Sequence, residues 1–294
     1  MCKRVVALLL AFMPAALFAD EPAAKRRVFV LHSGIHTILS HPSKNIAADQ
    51  LERGLIQRGV AERDIVVLDN PFPAASWRDV FPWNGLTMYL DSTVPDSAVC
   101  KDRYLRMHKA LAARGVSGDD EVVWIGHSAG GQIGLSMACL ACKLDKHPEL
   151  AKAAKPYRLS TVITLGTPLV DAPLPSSVKH CAYYSPKDTT VHMATSYGAY
   201  PLFALGLPVP ALRRLPASTS GTCCVRIFPD VQHNNWPSEG CVLDCIMGEF
   251  QAGYCPCWRT PPPLPNEGLS LAQLLARALA EDCHVSLEGM RRRR

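Results

Sequence analysis

The run Gly-His-Ser-Ala-Gly at residues 126–130 is the part of the sequence best suited to chemistry. It follows an apolar run at 121–125 that predicts a strand and precedes a helical pattern. A serine at such a turn holds its hydroxyl in open space, and the flanking glycines let neighbouring backbone approach closely. The helix behind it directs amide groups towards developing negative charge. The pattern predicts that Ser128 is a nucleophile; the alternative is a tight structural turn.

Two motifs together resemble the lipase/esterase branch of the α/β-hydrolase superfamily. They are Gly-His-Ser-Ala-Gly-Gly at 126–131 and Leu-Gly-Thr-Pro at 165–168. The resemblance covers roughly residues 28–284, mostly through the order of elements. It implies an α/β-hydrolase fold and a catalytic triad in the order serine, acid, histidine. It implies chemistry without a metal or an organic cofactor.

The acid that this order requires is sought after the serine. Asp188 ends a loop that directly follows the predicted fifth strand, and we expect it to hold the imidazole of the base in the right tautomer. Asp171, after the fourth strand, is the rival, because some lipases resembling this family place their acid there. Either residue could instead be a solvated loop carboxylate.

The base is predicted to be His233, which follows the sixth strand. A neutral imidazole within reach of the serine would take its proton and return it to the leaving group. The competitors are His180, His192 and His284, of which the first two lie too close to the acid in sequence and the third lies beyond the last helix. Asp230 is interpreted as a turn residue.

The oxyanion hole needs two backbone donors. One is predicted to be the amide of Ala129, directly after the nucleophile. The second should come from the loop after the first strand, where relatives usually carry His-Gly and this chain has His-Ser-Gly at 32–34. Gly34 is the predicted donor. His32 and His36 could suggest a metal site, but without a clear set of partners they are interpreted as loop-shaping residues.

Strands alternating with helices position these residues. Apolar runs predict six strands, at 28–31, 65–68, 121–125, 161–165, 181–184 and 224–228. Helical patterns predict helices at about 43–58, at 97–113, from the end of the 126–131 motif to about 141, and at 269–280. The alternation predicts an α/β fold with a mostly parallel central sheet and helices on both faces. Residues 20–294 are predicted to form one domain. The apolar loops at about 70–96 and 190–217 are predicted to cap the serine, or else to pack on the core.

Cysteine is abundant, with 12 residues in the chain. Six of them lie within 223–257, and a cysteine-rich insertion is predicted at about 234–260. In an oxidising compartment such a cluster most simply forms disulfides, and a structural zinc site is the second interpretation. Cys139 and Cys142 lie on a predicted buried helix and are interpreted as packing thiols.

The first 19 residues predict a secretory signal peptide. Lys3 and Arg4 form a positive region, and an apolar run extends from there to Ala19. The run is shorter than the ~20 apolar residues that span a bilayer, although a retained anchor is the alternative. We therefore expect export, to the periplasm or outside the cell.

Composition narrows the class of protein further. The chain of 294 residues is 48% hydrophobic and 19% charged, as in globular proteins. Much of its net charge of +5 lies in the tail Arg291–Arg294, which argues against a nucleic-acid-binding face but leaves contact with an acidic surface open. The predicted function is a secreted serine hydrolase that cleaves small or lipid-like carboxylic esters through an acyl-enzyme. The alternatives are a thioesterase or acyltransferase with the same triad, or a secreted binding protein that lost turnover.

Overall fold

The computed structural model describes residues 25–34, 46–68, 93–153, 157, 159–170, 174–188, 190–191, 212–213 and 223–250. The predicted signal peptide, the helix at 269–280 and the arginine tail lie outside this part of the chain. So do most of the two apolar loops and the second half of the cysteine-rich insertion, with Cys255 and Cys257.

One six-stranded parallel sheet organises the described residues. Its strands are β1 (Arg27–His32), β2 (Ile65–Val67), β3 (Glu121–His127), β4 (Leu159–Leu165), β6 (Lys179–Tyr184) and β8 (Cys223–Ile227), in the order β2-β1-β3-β4-β6-β8. Two further strands, β5 (Leu169–Val170) and β7 (Leu212–Arg213), form a short antiparallel pair. The helices are α1 (Ile46–Gln57), α2 (Ala98–Ala113), α3 (Ala129–Ala141), α4 (Pro148–Ala153) and α5 (Gly240–Gly248).

Helices cover both faces of the sheet, and each face has its own apolar core. Alternate strand residues point to opposite faces, so each central strand contributes to both cores. On one face α2 and α3 pack over β1, β3 and β4 through buried residues that include Met107, Ile133 and Trp124. On the other face α1 and α5 pack through residues that include Leu51, Leu55 and Ile246. The predicted fold class is therefore confirmed, except that the cysteine-rich insertion is described only in part.

The strand order reverses direction at β1, and the fold is therefore expected to have a crevice at the carboxyl ends of β1 and β3. The chain runs outward from β1 to β2, then crosses back so that β3 lies on the other side of β1. The helices that follow β1 and β3 lie on opposite faces, so the connections leaving these two strands diverge. Ligand sites in open α/β sheets form at the carboxyl ends of strands at such a reversal. Residues 33–34 and Ser128 lie at this point.

Several details differ from the expectations. The helix predicted over 43–58 is described from Ile46, and α4 and α5 were not predicted. Cys139 is buried as expected, but Cys142 ends α3 and is exposed, so its interpretation as a packing thiol was wrong. Within the described residues, no helix combines the length and apolar character needed to cross a membrane.

Candidate active site

Ser128 occupies a strained turn between β3 and α3. Its φ of 54° and ψ of −128° make it the one non-glycine residue with positive φ in the part of the chain that the structure describes. Side chains rarely adopt this conformation, and such strain persists only where the surroundings enforce it. Ser128 is partly exposed although residues on both sides of it are buried. The turn thus presents one hydroxyl at the carboxyl end of the sheet.

The two flanking glycines are required by close packing of backbone. A Cβ on Gly126 would lie 2.3 Å from the carbonyl oxygen of Gly130, within the turn itself. A Cβ on Gly130 would lie 2.6 Å from the carbonyl oxygen of His32 at the end of β1. Neither position can accept a side chain without moving backbone, which explains both glycines of the motif.

The Leu-Gly-Thr-Pro segment holds the turn from the side of β4. The carbonyl of Leu165 accepts a hydrogen bond from the amide of Ser128 at 2.9 Å. The hydroxyl of Thr167 donates to the carbonyl of Ser128 at 2.8 Å. The two motifs that carry the family resemblance therefore contact each other, and the second fixes the backbone of the first.

Gly34 lies directly against the candidate nucleophile. A Cβ on this residue would be 2.5 Å from Cβ and 3.0 Å from Oγ of Ser128. The preceding Ser33 is buried, and its hydroxyl accepts the amide of Ala48 at 3.0 Å, which ties the loop to α1. The backbone of Gly34 is thus placed beside the hydroxyl of Ser128.

Asp188 is a buried carboxylate that accepts hydrogen bonds from three groups. Its side chain is fully buried, at the turn that follows β6. Oδ1 accepts the amide of Val191 at 2.9 Å, and Oδ2 accepts the indole N–H of Trp236 at 2.7 Å. Nδ1 of His233 lies 3.0 Å from both oxygens. A buried carboxylate stays ionised at low cost only when such donors replace its water.

This pairing decides the tautomer of His233. A carboxylate surrounded by donors can only accept, so the Nδ1 of His233 carries the hydrogen. In the neutral ring, Nε2 is then left with its lone pair and can accept a proton from a hydroxyl. The histidine ring is 9% exposed, so one side faces solvent or a ligand while the other is held by the acid.

His127, the residue before the nucleophile, connects the base to the turn. Its Nε2 donates to the backbone carbonyl of His233 at 2.8 Å. The two imidazole rings lie 4.8 Å apart between centroids. The short helix His233–Asn235 is therefore held beside the carboxyl end of β3, which leads directly into Ser128. The sequence analysis assigned no role to His127.

Trp236 is the second residue that the sequence analysis missed. It is fully buried and comes from the same turn as His233, so one short segment supplies both the base and a donor to the acid. Gly166, with φ of +51°, leaves the space that this arrangement needs. A Cβ there would lie 2.3 Å from Nε1 of Trp236 and 2.5 Å from Oδ2 of Asp188.

The other candidate histidines that the structure describes differ from His233 in their surroundings. His180 is buried within β6 and hydrogen-bonds Thr164, and burial lowers its pKa to about 4. His32 is stacked on Trp124, and burial lowers its pKa to about 3. Both are neutral packing residues. The rivals Asp171, His192 and His284, and the loop residue His36, lie outside the described residues.

Metal-ligating side chains cluster elsewhere in the described part of the chain. Cys181, Cys224 and Glu249 place one ligand atom each within 4.8 Å of one another, and none of them belongs to the group around Ser128. That group contains a serine at a strained turn, a histidine whose Nδ1 faces a buried carboxylate, and the backbone of Gly34 beside the serine hydroxyl. Such an arrangement is suited to nucleophilic attack on a carbonyl without a metal.

Comparison with known proteins gives structural likenesses at low identity. No family model and no curated protein matches the sequence. Esterase B from Lactobacillus rhamnosis is 11% identical with a TM-score of 0.42, over 79% of this chain and 76% of its own. A dienelactone hydrolase-like promiscuous phosphotriesterase from metagenomic libraries is 16% identical with a TM-score of 0.41, over 92% and 89%. A hormone-sensitive lipase from a metagenome library is 12% identical with a TM-score of 0.38, over 75% of each chain.

These likenesses do not indicate an activity for this chain. The fold assignment rests on this chain's own strand order and on the strained serine turn between β3 and α3. By these features the chain has the α/β-hydrolase fold, in agreement with the resemblance seen in its motifs.

Proposed function

We propose that this chain is a serine hydrolase that cleaves carboxylic esters through an acyl-enzyme intermediate. The observation that supports this most strongly is the buried Asp188–His233 pair, held beside the residue that precedes Ser128. A structural turn would need the glycines but would have no use for an ionised carboxylate that fixes a histidine tautomer.

In the first half-reaction, Oγ of Ser128 attacks the ester carbonyl. Nε2 of His233 removes the hydroxyl proton as the carbon–oxygen bond forms. The imidazolium that results donates two hydrogen bonds, and Asp188 stabilises its charge while remaining ionised. The tetrahedral intermediate then collapses, the alcohol leaves with the proton from Nε2, and the acyl group remains on Ser128.

The negative charge on the carbonyl oxygen is stabilised by backbone donors. We assign these to the amides of Ala129, which directly follows the nucleophile, and of Gly34, whose backbone lies beside Ser128. Because α3 begins at Ala129, the positive end of its dipole also faces this charge. One such donor is typically worth ~10²–10³ in kcat.

In the second half-reaction, water replaces the alcohol. His233 takes a proton from the water as it attacks the acyl carbon and returns it to Oγ of Ser128, which releases the acid product. The same groups serve both steps, so no further protein residue and no cofactor is consumed.

The substrate is proposed to carry an apolar acyl group. The support is the apolar composition of the loops at 70–96 and 190–217. A second part of the proposal is export, which the basic and apolar segment at 1–19 supports. Amino-terminal sequencing of the mature protein would show a start after Ala19 if the segment is removed and a start at Met1 if it is not.

The activity is tested by turnover of p-nitrophenyl esters graded by acyl length. Wild-type protein should hydrolyse at least one ester with a burst of p-nitrophenol that matches the enzyme concentration, because this good leaving group departs during a fast acylation and water then removes the acyl group more slowly. Ser128→Ala should remove both the burst and turnover. Intact mass of the quenched wild type should show one added acyl group on Ser128.

The matched control is Ser238→Ala, which changes an exposed serine five positions after His233. It should leave turnover and the burst unchanged. Turnover retained in a folded Ser128→Ala variant would exclude Ser128 as the nucleophile. Absence of turnover by folded wild type on every ester, with no acyl adduct, would favour the binding-protein alternative.

A further inference from the structure

Two cysteines from neighbouring strands of the main sheet lie side by side. Cys181 in β6 and Cys224 in β8 are paired directly across the sheet. Their Sγ atoms are 3.0 Å apart, and both thiols are free. Neighbouring strands lie ~4.7–4.9 Å apart, which falls within the range of Cα separations that a disulfide bridges.

The surroundings of the two sulfurs differ, which gives them different roles. Cys181 is fully buried, whereas Cys224 is partly exposed. The hydrogen bond that Cys224 shares with Cys181 lowers the pKa of Cys224, against burial and the charge of Glu249 and with help from Lys179 and Arg226. The same contact, together with burial, raises the pKa of Cys181. Cys224 is therefore the accessible thiol with the larger thiolate fraction, as an attacking thiol requires.

The third member of the cluster argues against a resident metal ion. Both carboxylate oxygens of Glu249 are already occupied by cations. Oε2 accepts from Lys179 at 2.9 Å and Oε1 from Arg226 at 2.8 Å. A divalent cation would have to displace these charges and then bind between them, whereas a neutral disulfide leaves both ion pairs intact.

We propose that Cys181 and Cys224 form a cross-strand disulfide by exchange with an external disulfide. The thiolate of Cys224 attacks one sulfur of that molecule, forms a mixed disulfide and expels the other half as a thiolate, which takes up the proton. The sulfur of Cys181 then loses its proton and attacks Sγ of Cys224, and the second half leaves as a thiol. The protein loses two electrons and two protons, and the external disulfide becomes two thiols.

This bond joins the two strands that lead to the candidate acid and base. β6 ends four residues before Asp188, and β8 ends six residues before His233. The two cysteines are 43 residues apart in sequence, so the bond closes a long loop. The inference goes beyond the proposed function, because it depends neither on Ser128 nor on turnover.

Mass spectrometry of the full chain tests the bond without reference to activity. Reduced protein is incubated with oxidised glutathione, quenched in acid, unfolded and alkylated with N-ethylmaleimide, then digested. We expect a disulfide-linked pair of peptides that is lighter by two hydrogen atoms than the two separate thiol peptides. Fragmentation of this pair should locate the link at Cys181 and Cys224. Cys224→Ser should abolish this pair, and a glutathione adduct should not accumulate on Cys181.

The matched control is Cys241→Ser, which removes an exposed cysteine from α5 and should leave the linked pair unchanged. Alkylation of both Cys181 and Cys224 after full exposure to oxidised glutathione would overturn the inference. So would a link from Cys181 to Cys223 or Cys245 in place of Cys224. Zinc bound in a ratio of one per chain and lost in Cys224→Ser would overturn it in favour of a metal site.

Discussion

Replacing Asp188 with asparagine is expected to lower turnover strongly. The loss of the negative charge is only part of the effect, because the new amide group also places a donor where the structure needs an acceptor. The two carboxylate oxygens face fixed donors, the amide of Val191 at Oδ1 and the indole of Trp236 at Oδ2. An asparagine presents one N–H₂ group in place of an oxygen. In either orientation that group points a donor at another donor, and neither the backbone amide nor the buried indole can turn away.

The magnitude follows from two separate consequences. A buried donor left without an acceptor costs about 1–3 kcal/mol of folding stability. In addition, the amide of the asparagine would favour the tautomer of His233 with hydrogen on Nε2, which cannot accept a proton from Ser128. In a serine hydrolase triad this change costs ~10⁴ in kcat, or about 5 kcal/mol of transition-state stabilisation. We therefore expect kcat to fall by about four orders of magnitude, much more than the loss of stability explains.

The assay compares kcat and urea unfolding for wild type, Asp188→Asn and a control. The control is Asp230→Asn, which removes an exposed carboxylate that pairs with Lys187 in the same region. This control should change neither kcat nor stability by a large amount, because exposed ion pairs contribute little. If Asp188→Asn retains more than about a tenth of wild-type kcat, the reasoning is refuted. Asp171 would then be the better candidate for the acid.

Three further predictions concern other parts of the described structure. Gly34→Ala should lower kcat by ~10²–10³, because a Cβ there would lie 2.5 Å from Cβ of the nucleophile. The control Gly240→Ala should leave kcat unchanged, because its Cβ would come no closer than 3.8 Å to another residue. Equal kcat values for the two variants would remove Gly34 from the site. The pKa of His180 is lowered by burial from 6.5 to about 4, so the unfolded chain binds a proton below pH 6.5 that the folded chain does not. The free energy of unfolding should therefore fall as the pH drops, by about 2 kcal/mol between pH 7 and pH 5 from this residue. Urea unfolding at the two pH values should show a smaller fall for His180→Gln than for wild type. An equal fall in both proteins would contradict the assignment. Reduction of the Cys181–Cys224 bond should lower the free energy of unfolding by about 4 kcal/mol, since it opens a loop of 43 residues; calorimetry that finds equal stability with and without reductant would show that the bond does not constrain the unfolded chain.

Local patterns in the sequence predicted the elements that depend on neighbouring residues. The strands of the main sheet are short runs rich in apolar residues, and the serine turn is marked by glycines that its own backbone contacts require. The end of α1 two residues before Gly59 follows from the positive φ of that glycine, and the start of α2 at Ala98 follows from the cap that Ser97 places on the amide of Cys100. These signals act over a few residues, so a single sequence contains them.

Contacts between distant residues could not be predicted in this way. The bond from Trp236 to Asp188 joins residues 48 apart, and nothing near either residue marks the pair. The sequence groups Cys224 with the cysteines that follow it, although its sulfur lies 3.0 Å from that of Cys181 on β6. The helix α5 does carry a signal in the sequence, since Val242, Leu243 and Ile246 recur at helical spacing and are buried, but it overlaps the cysteine-rich stretch.

The central claim is that His233 activates Ser128, and covalent labelling tests it most directly. Wild type, His233→Ala and His147→Ala are treated with a fluorophosphonate, and the modified residue is mapped by mass spectrometry. His147 is a suitable control because it pairs with Asp96 at 3.2 Å, a histidine–aspartate contact on a different part of the molecule. The account predicts labelling of Ser128 in wild type and in His147→Ala, and its near-complete loss in His233→Ala. Equal labelling of Ser128 in all three proteins, or labelling at another residue, would contradict it.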